Sequence, residues 1–150
     1  MTTKFGVVYN YSLEKVYQRR IVMKEKIATS AAPAAIGPYS QGFVTIGEKL
    51  VFTSGQIPID PATGNIVEGR IDVQAEQSCK NVLKILEEAG ATADDVIKTT
   101  CFLADMNDFA QFNAVYAKFF TSKPARSCVA VKTLPKNVLC EIEAVASIRF

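Results

Sequence analysis

The spacing between apolar residues along the chain changes several times between residues 42 and 148. The segment GFVTIGEKLVFTSG reads as two short β-rich runs around Gly47 and Glu48, which predicts two strands joined as a hairpin. After the turn-rich IPIDPATGNI, apolar residues recur at helical spacing in DVQAEQSCKNVLKILEEAGA and in NDFAQFNAVYAKFF. Strands are predicted for DVIKTTCFLAD, SCVAVKTL and LCEIEAVASI. The order β-β-α-β-α-β-β indicates an α+β fold, with two helices on one face of a mixed β-sheet.

Apolar stripes on both predicted helices indicate which residues form the core. The first stripe ends at Gly90 and contains Ala75, Cys79, Val82, Leu83 and Leu86. The second follows a cap at Asn107 or Asp108 and contains Phe109, Phe112, Val115, Tyr116, Phe119 and Phe120. Stripes of this kind belong to the core far more often than to a ligand site, so we assign these aromatic residues to packing.

The predicted strands carry apolar residues on both faces. In the last strand, one face contains Cys140, Ile142, Ala144 and Ala146, and the other contains Leu139, Glu141, Glu143 and Val145. In the strand from Ile97, one face contains Ile97, Cys101 and Leu103, and the other contains Phe102 and Ala104. Because two helices cover only one face, we expect a homo-oligomer that buries the helix-free face, where Glu141 lies.

The composition restricts the function classes. Of 150 residues, 49% are hydrophobic and 21% are charged, which is typical of one globular domain. The apolar runs are too short for a membrane helix, and a net charge of +2 argues against nucleic acid or anionic lipid as the partner. The chain contains no histidine, which removes the commonest general base and metal ligand, and no tryptophan for stacking against sugars.

The four cysteines, Cys79, Cys101, Cys128 and Cys140, have mostly apolar neighbours and form no C-x-x-C pair. This pattern favours buried thiols in a reducing compartment over disulfides, and it provides no zinc motif. We therefore expect no metal site.

Residues 1–22 precede a second methionine, Met23, and are basic and tyrosine-rich without the features of a signal peptide. We expect a peripheral N-terminal extension at 1–22 and a single domain at 23–150. We expect the protein to be cytoplasmic, or mitochondrial if the extension is a genuine leader.

Arg126, in the segment PARSCVAV, follows the conformationally rigid Pro124 at the start of a predicted strand. Its guanidinium fits a carboxylate through two parallel hydrogen bonds, although a salt bridge to a neighbouring acid is the simpler interpretation of the residue alone. Glu141 shares its strand face with Glu143, a spacing that superficially suits a glycosidase, but the absence of tryptophan argues against that. A carboxylate on an apolar interface must be paired or functional.

Three further positions are candidates for a site. Tyr39 lies in GPYSQG, and Ser54 with Gly55 ends a strand in TSGQIP, where glycine allows a ligand to approach the backbone. Ser54 has no histidine to activate it as a nucleophile. Cys128 shares the strand face of Arg126, and a catalytic thiol there would need a lowered pKa.

The chain resembles the RidA/YjgF family of reactive-intermediate deaminases. The resemblance runs from about Met23 to Ile148 and rests on APAAIGPYSQG, FTSGQIPIDPATG, NVLKILEEAGA, IKTTCFLADMNDF, NAVY, PARSCVAVKTLPK and EIEAVA. It implies a chorismate-mutase-like fold, a homotrimer with clefts between subunits, and hydrolysis of 2-imino or 2-enamino acids, such as 2-aminoacrylate and 2-aminocrotonate, to 2-oxo acids and ammonia. No cofactor is implied.

The resemblance also assigns roles to individual residues. Arg126 matches the family's carboxylate-binding arginine, and Glu141 matches the glutamate near the attacking water. Cleft-lining positions match Tyr39 and Ser54–Gly55, the main-chain N–H of Cys128 is expected to help hold the carboxylate, and Asn113 is a further substrate-binding position. Two alternatives stay open: an endoribonuclease acting on single-stranded RNA, and a ligand-binding or chaperone-like module without turnover.

Overall fold

The computed structural model describes residues 24–27, 38, 40, 42–45 and 49–148. Within them the chain forms six strands and two α-helices. In chain order these are β1 Lys24–Ile27, β2 Gly42–Thr45, β3 Lys49–Phe52, α1 Ile71–Glu88, β4 Val96–Leu103, α2 Phe109–Phe119, β5 Ala125–Ala130 and β6 Cys140–Ile148. The predicted α+β order is therefore confirmed, with β1 as one strand that the pattern did not indicate.

The main sheet has the order β3-β6-β4-β5. β6 pairs antiparallel with both β3 and β4, whereas β4 and β5 are parallel and are connected through α2. β2 pairs with β1 in a separate two-stranded ladder. The predicted hairpin is therefore wrong for the strand pairs that the structure describes: both strands form, but β3 pairs with β6 and β2 pairs with β1.

α1 follows the predicted apolar stripe and adds two buried polar residues to it. Ala75, Cys79, Val82 and Leu86 are fully buried, and Leu83 packs at the edge of the core. Buried Gln74 accepts a hydrogen bond from the Leu139 N–H (2.8 Å) and so fastens the helix to the chain entering β6. The helix ends as predicted, with Gly90 at φ 81° and the Ala91 N–H bonded to the Leu86 carbonyl (2.8 Å).

α2 confirms the predicted aromatic core, but its cap lies further upstream than expected. Phe112, Tyr116 and Phe120 are fully buried, and their rings stack in sequence. A short 3₁₀ turn, Met106–Asp108, precedes the helix, and the Asp105 carboxylate accepts the Asn107 N–H (2.9 Å). Asp108 makes no side-chain cap, so the capping residue of this turn is Asp105.

The helices cover one face of the sheet, and the predicted alternation along β6 is confirmed. In β4, the bulge between Val96 and Lys98 shifts the register, so Val96 is fully buried and Ile97 only half-buried. The prediction that Ile97 shares the buried positions of Cys101 and Leu103 is therefore wrong. The opposite face carries no helix formed by the described residues and is called the helix-free face below. It includes half-buried Phe102 and Val145.

Apolar side chains remain accessible on this helix-free face and at its margins. Phe52 is 70% exposed, Val129 47% and Leu50 45%. Exposed apolar side chains that share one face are typical of a surface that binds a partner. No helix in the described part of the chain is long and apolar enough to cross a membrane.

Candidate functional site

Arg126 is the second residue of β5, and its side chain lies between that strand and α2. One guanidinium nitrogen, Nη1, donates to Asn113 Oδ1 at 2.7 Å. The guanidinium carbon lies 4.8 Å from the centroid of the Tyr116 ring and 5.6 Å from that of Phe109. Two aromatic rings and one amide therefore hold the cation, and this amide partner is neutral.

Tyr116 is itself fixed in place. Its hydroxyl shares a 2.7 Å hydrogen bond with buried Thr99, which is aligned with Arg126 on the adjacent strand. The ring stacks between Phe112 and Phe120, and burial raises its pKa far above the ordinary value. The surface under the arginine is therefore neutral and rigid. The aromatic stripe of α2 thus belongs both to the core and to the site, which its helical spacing did not reveal.

The edge of β5 presents backbone donors beside Arg126. Val131 donates its N–H to the Leu103 carbonyl (2.9 Å), so odd-numbered residues of β5 bond to β4. In a parallel ladder the alternate residues direct their N–H groups the other way, so the N–H of Cys128 points out from the sheet edge. At this edge, Ser40 forms a β-bridge with Ala125, and the Ser40 N–H donates to the Pro124 carbonyl (3.0 Å). Tyr39 lies outside the described residues.

The thiol of Cys128 lies against that of Cys101. These residues are directly aligned on β5 and β4. A hydrogen bond from Cys101 and the nearby Arg126 charge lower the pKa of Cys128, against the opposing effect of burial. Burial raises the pKa of Cys101. All four cysteines are free thiols, as the sequence predicted.

Glu141 forms a second cluster, with Gly55. An ideal β-carbon on Gly55 would lie 1.8 Å from Glu141 Oε1, so the carboxylate occupies the space that the glycine leaves. This close approach follows a local irregularity: Thr53 N–H bonds to the Ala144 carbonyl (2.9 Å) and Gln56 N–H to the Ile142 carbonyl (2.8 Å). Two residues, Ser54 and Gly55, therefore lie opposite the single residue between those two partners, as in a β-bulge.

The two clusters lie on opposite faces of one sheet. Arg126 aligns with buried Thr99 on the helix side, whereas Glu141 aligns with half-buried Phe102 on the other side. They are also separated by β4, which lies between β5 and β6. The chain thus brings Arg126 together with Asn113 and Cys128, and Glu141 with Gly55 and the adjacent exposed Ser54, but it does not join the two clusters.

A small cavity of about 90 Å³ opens on the helix-free face, between Phe52, Lys98, Thr100 and Glu143. Lys98 donates to Ser127 Oγ at 2.8 Å, and burial lowers its pKa. The position of this lysine on the sheet depends on the bulge at the start of β4, which the local sequence pattern does not reveal.

Comparisons with known proteins agree on one family. The family model described as Endoribonuclease L-PSP matches residues 29–148. A relative from Salmonella typhimurium, named 2-iminobutanoate/2-iminopropanoate deaminase, is 55% identical over 128 residues, which is 83% of this chain and 98% of the relative.

Solved structures agree with this assignment. The crystal structure of E. coli TdcF with bound serine is 50% identical, covers 82% of this chain and 98% of its own, and has a TM-score of 0.63. The YjgF gene product of E. coli is 51% identical, covers 83% of this chain and 99% of its own, and has a TM-score of 0.64. The chain therefore belongs to the Endoribonuclease L-PSP family, which contains the RidA/YjgF proteins that its sequence resembles.

Proposed function

We propose that this protein hydrolyses reactive 2-imino and 2-enamino acids, such as 2-aminoacrylate and 2-aminocrotonate, to 2-oxo acids and ammonia. The observation that carries the proposal is the arginine cluster: Arg126 held by Asn113 and two aromatic rings beside the outward N–H of Cys128. A small acid with one carboxylate fits such a cluster. The deaminase name of the Salmonella relative and the serine bound to TdcF support the same substrate class.

The arginine binds the α-carboxylate of the substrate. Asn113 orients the guanidinium through Nη1, and the planar group is suited to a bidentate contact with two carboxylate oxygens. The Cys128 N–H adds a main-chain donor. Charged hydrogen bonds of this kind contribute roughly 1.5–3 kcal/mol each, which is enough to fix the position of the C=N carbon.

Glu141 orients the water and accepts its proton. In a 2-enamino acid, a proton first moves from nitrogen to C3 to give the imine. Water then adds to the C=N carbon, and Glu141 returns the proton to the nitrogen of the carbinolamine. Ammonia leaves, and the C=O bond forms as the C–N bond breaks. A protonated imine is already strongly electrophilic, so positioning and one general base are sufficient. Ser54 and Gly55 line this half of the site, and Gly55 sets the location of the carboxylate. No cofactor takes part.

Opposite sheet faces carry the two halves of the site, so a complete site requires a second copy of the chain. We propose a homotrimer of chorismate-mutase type, in which each cleft combines the Arg126 cluster of one copy with the Glu141 cluster of the next. The exposed Phe52 and Val129 support burial of the helix-free face.

We assign residues 23–150 to the catalytic domain and residues 1–22 to a peripheral extension, and we propose a cytoplasmic location. A chain lacking 1–22 should retain the oligomeric state and catalysed rate of the full chain. Loss of either would show that the extension contributes to assembly or catalysis.

The deciding experiment generates 2-aminocrotonate in situ with a threonine dehydratase and follows 2-oxobutanoate formation against the spontaneous rate. The wild type should exceed that rate, and Arg126→Ala should fall back to it. Arg70→Ala is the matched control, because Arg70 is an exposed arginine that pairs with Asp72 on the surface. If the wild type were no faster than the spontaneous reaction, the proposed deaminase activity would be wrong. The alternative of a ligand-binding module without turnover would then remain.

The family description favours single-stranded RNA as the second candidate substrate. An RNA site depends on phosphate contacts, so cleavage should weaken steeply with salt, whereas binding of a small carboxylate should weaken far less. RNA cleavage that survives in Arg126→Ala and disappears at high salt would assign that activity to a different surface from the arginine cluster.

A further inference from the structure

Cys101 and Cys128 are within reach of a disulfide bond. They are directly aligned on the parallel strands β4 and β5. Neighbouring strands lie about 4.8 Å apart, and disulfides join Cα atoms about 4.4–6.8 Å apart. The other thiols lack this relation to Cys128, because Cys140 lies on β6 beyond β4 and Cys79 lies on α1.

The two thiols have unequal surroundings. Cys101 is fully buried, whereas Cys128 is half-buried and lies two residues from Arg126. The Cys101 hydrogen bond and the arginine lower the pKa of Cys128, while burial raises that of Cys101. A thiolate, and not a thiol, is the nucleophile, so Cys128 is the member of the pair that reacts first.

We propose that Cys101 and Cys128 form a redox-active dithiol that reacts with small hydroperoxides. The Cys128 sulfur attacks the outer peroxide oxygen, the O–O bond breaks, and a sulfenic acid forms as the departing oxygen takes up a proton. The Cys101 sulfur then attacks the sulfenic sulfur, the S–O bond breaks, and water leaves as the disulfide forms. The two thiols together lose two electrons and two protons, and the hydroperoxide is reduced to an alcohol, or to water in the case of hydrogen peroxide.

The dithiol also regulates the site, a consequence that rests on the proposed deaminase function. Cys128 provides a backbone donor beside Arg126. A disulfide to Cys101 brings the two β-carbons to about 3.8 Å, closer than the spacing of about 4.8 Å between neighbouring strands, so it displaces this part of β5. Displacements of about 1 Å cost on the order of a hundredfold in rate when they misplace catalytic groups. The oxidised protein is therefore a poor deaminase until a thiol reductant restores it.

The experiment treats the full-length protein with hydrogen peroxide, alkylates the remaining thiols under denaturing conditions and maps them by peptide mass spectrometry. Wild type should lose two of its four free thiols and yield one intrachain Cys101–Cys128 peptide pair. Cys79→Ala, the matched control, should form the same pair. Cys101→Val should stop at a sulfenic acid on Cys128 that dimedone traps, and circular dichroism verifies that each variant is folded.

Other results would overturn the proposal. These are four free thiols after peroxide treatment, a disulfide between different cysteines or between chains, or a Cys101→Val variant that loses as many thiols as wild type. Thiol mapping does not depend on deamination, so it decides the dithiol even if the proposed function fails. If the disulfide forms but the deamination rate falls by less than about tenfold, the regulatory part is wrong.

Discussion

The carboxylate of Glu141 occupies the space in which Gly55 has no side chain. A β-carbon on Gly55 would lie 1.8 Å from Oε1 and 2.7 Å from Cδ of that glutamate, far inside contact distance. The glycine therefore determines where the carboxylate can lie, although it contributes no functional group. Replacing Gly55 therefore moves the Glu141 carboxylate without removing it.

Gly55→Ala should lower catalysis and leave the fold almost unchanged. The new methyl group displaces the end of a flexible side chain, and Gly55 is outside the left-handed backbone region, so the free energy of unfolding should change by less than about 1 kcal/mol. The deamination rate should fall on the order of tenfold or more because the general base moves. Urea unfolding and the coupled dehydratase assay measure the two effects.

Gly64→Ala is the control for that substitution. Gly64 has φ 73° and no heavy atom near its missing β-carbon, so alanine should destabilise the fold by about 1 kcal/mol without changing the rate. A Gly55→Ala protein with the wild-type rate would show that the position of Glu141 is unimportant for the reaction.

Asn113 should control how well Arg126 binds the substrate. Asn113→Ala removes the 2.7 Å contact, and we expect KM to rise about tenfold with a smaller change in kcat. Asn113→Asp should raise KM further, because the new carboxylate pairs with the arginine and competes with the substrate. Steady-state kinetics with both variants tests this order. Equal KM values for the two would show that the arginine needs no neutral partner.

The helix-free face should be the surface through which copies associate. Val129→Asp places a charge beside Phe102 on that face and should reduce the assembled mass measured by analytical ultracentrifugation. Val73→Asp is the control, since Val73 is 41% exposed but lies on α1. A monomeric wild type, or equal dissociation in both variants, would contradict the proposed assembly.

Alkaline pH should unfold the protein through its buried thiols. Burial raises the pKa of Cys140 from 9.0 to about 12 and raises those of Cys79 and Cys101 as well. The unfolded thiols ionise first, so stability should fall from about pH 9 toward pH 12, by about 1.4 kcal/mol per pH unit for each group. Urea unfolding in reductant across this range measures the slope.

Cys140→Ala should make that slope shallower, because one buried thiol no longer ionises on unfolding. Cys128→Ala should not make it shallower, since the pKa of Cys128 is lowered in the folded protein. Identical slopes for wild type and Cys140→Ala would contradict the assignment of the pH dependence to the buried thiols.

The local pattern predicted the faces of β6 and both helical stripes, because period and burial are properties of neighbouring residues. Long-range pairing was harder to predict. β2 and β3 were assigned to one hairpin, but the structure pairs β3 with β6, almost 100 residues later in the chain. The bulge that moves Ile97 depends on the same tertiary pairing.

The resemblance predicted roles in substrate binding for Arg126 and Asn113, but not their direct contact. That contact joins α2 to β5, and no spacing along the chain encodes it. The role of Tyr116 was hidden for a related reason: a buried aromatic on a helical stripe looks like core whether or not a cation lies over its ring. The opposite faces of Arg126 and Glu141 follow from their strand registers.

The apolar helix-free face has a consequence for how the protein is made in a cell. Phe52 and Val129 are exposed on this face before copies associate. A newly synthesised chain therefore presents apolar side chains to neighbouring chains, which favours aggregation. The yield of natively folded protein in the cell should therefore depend on how quickly newly synthesised copies associate.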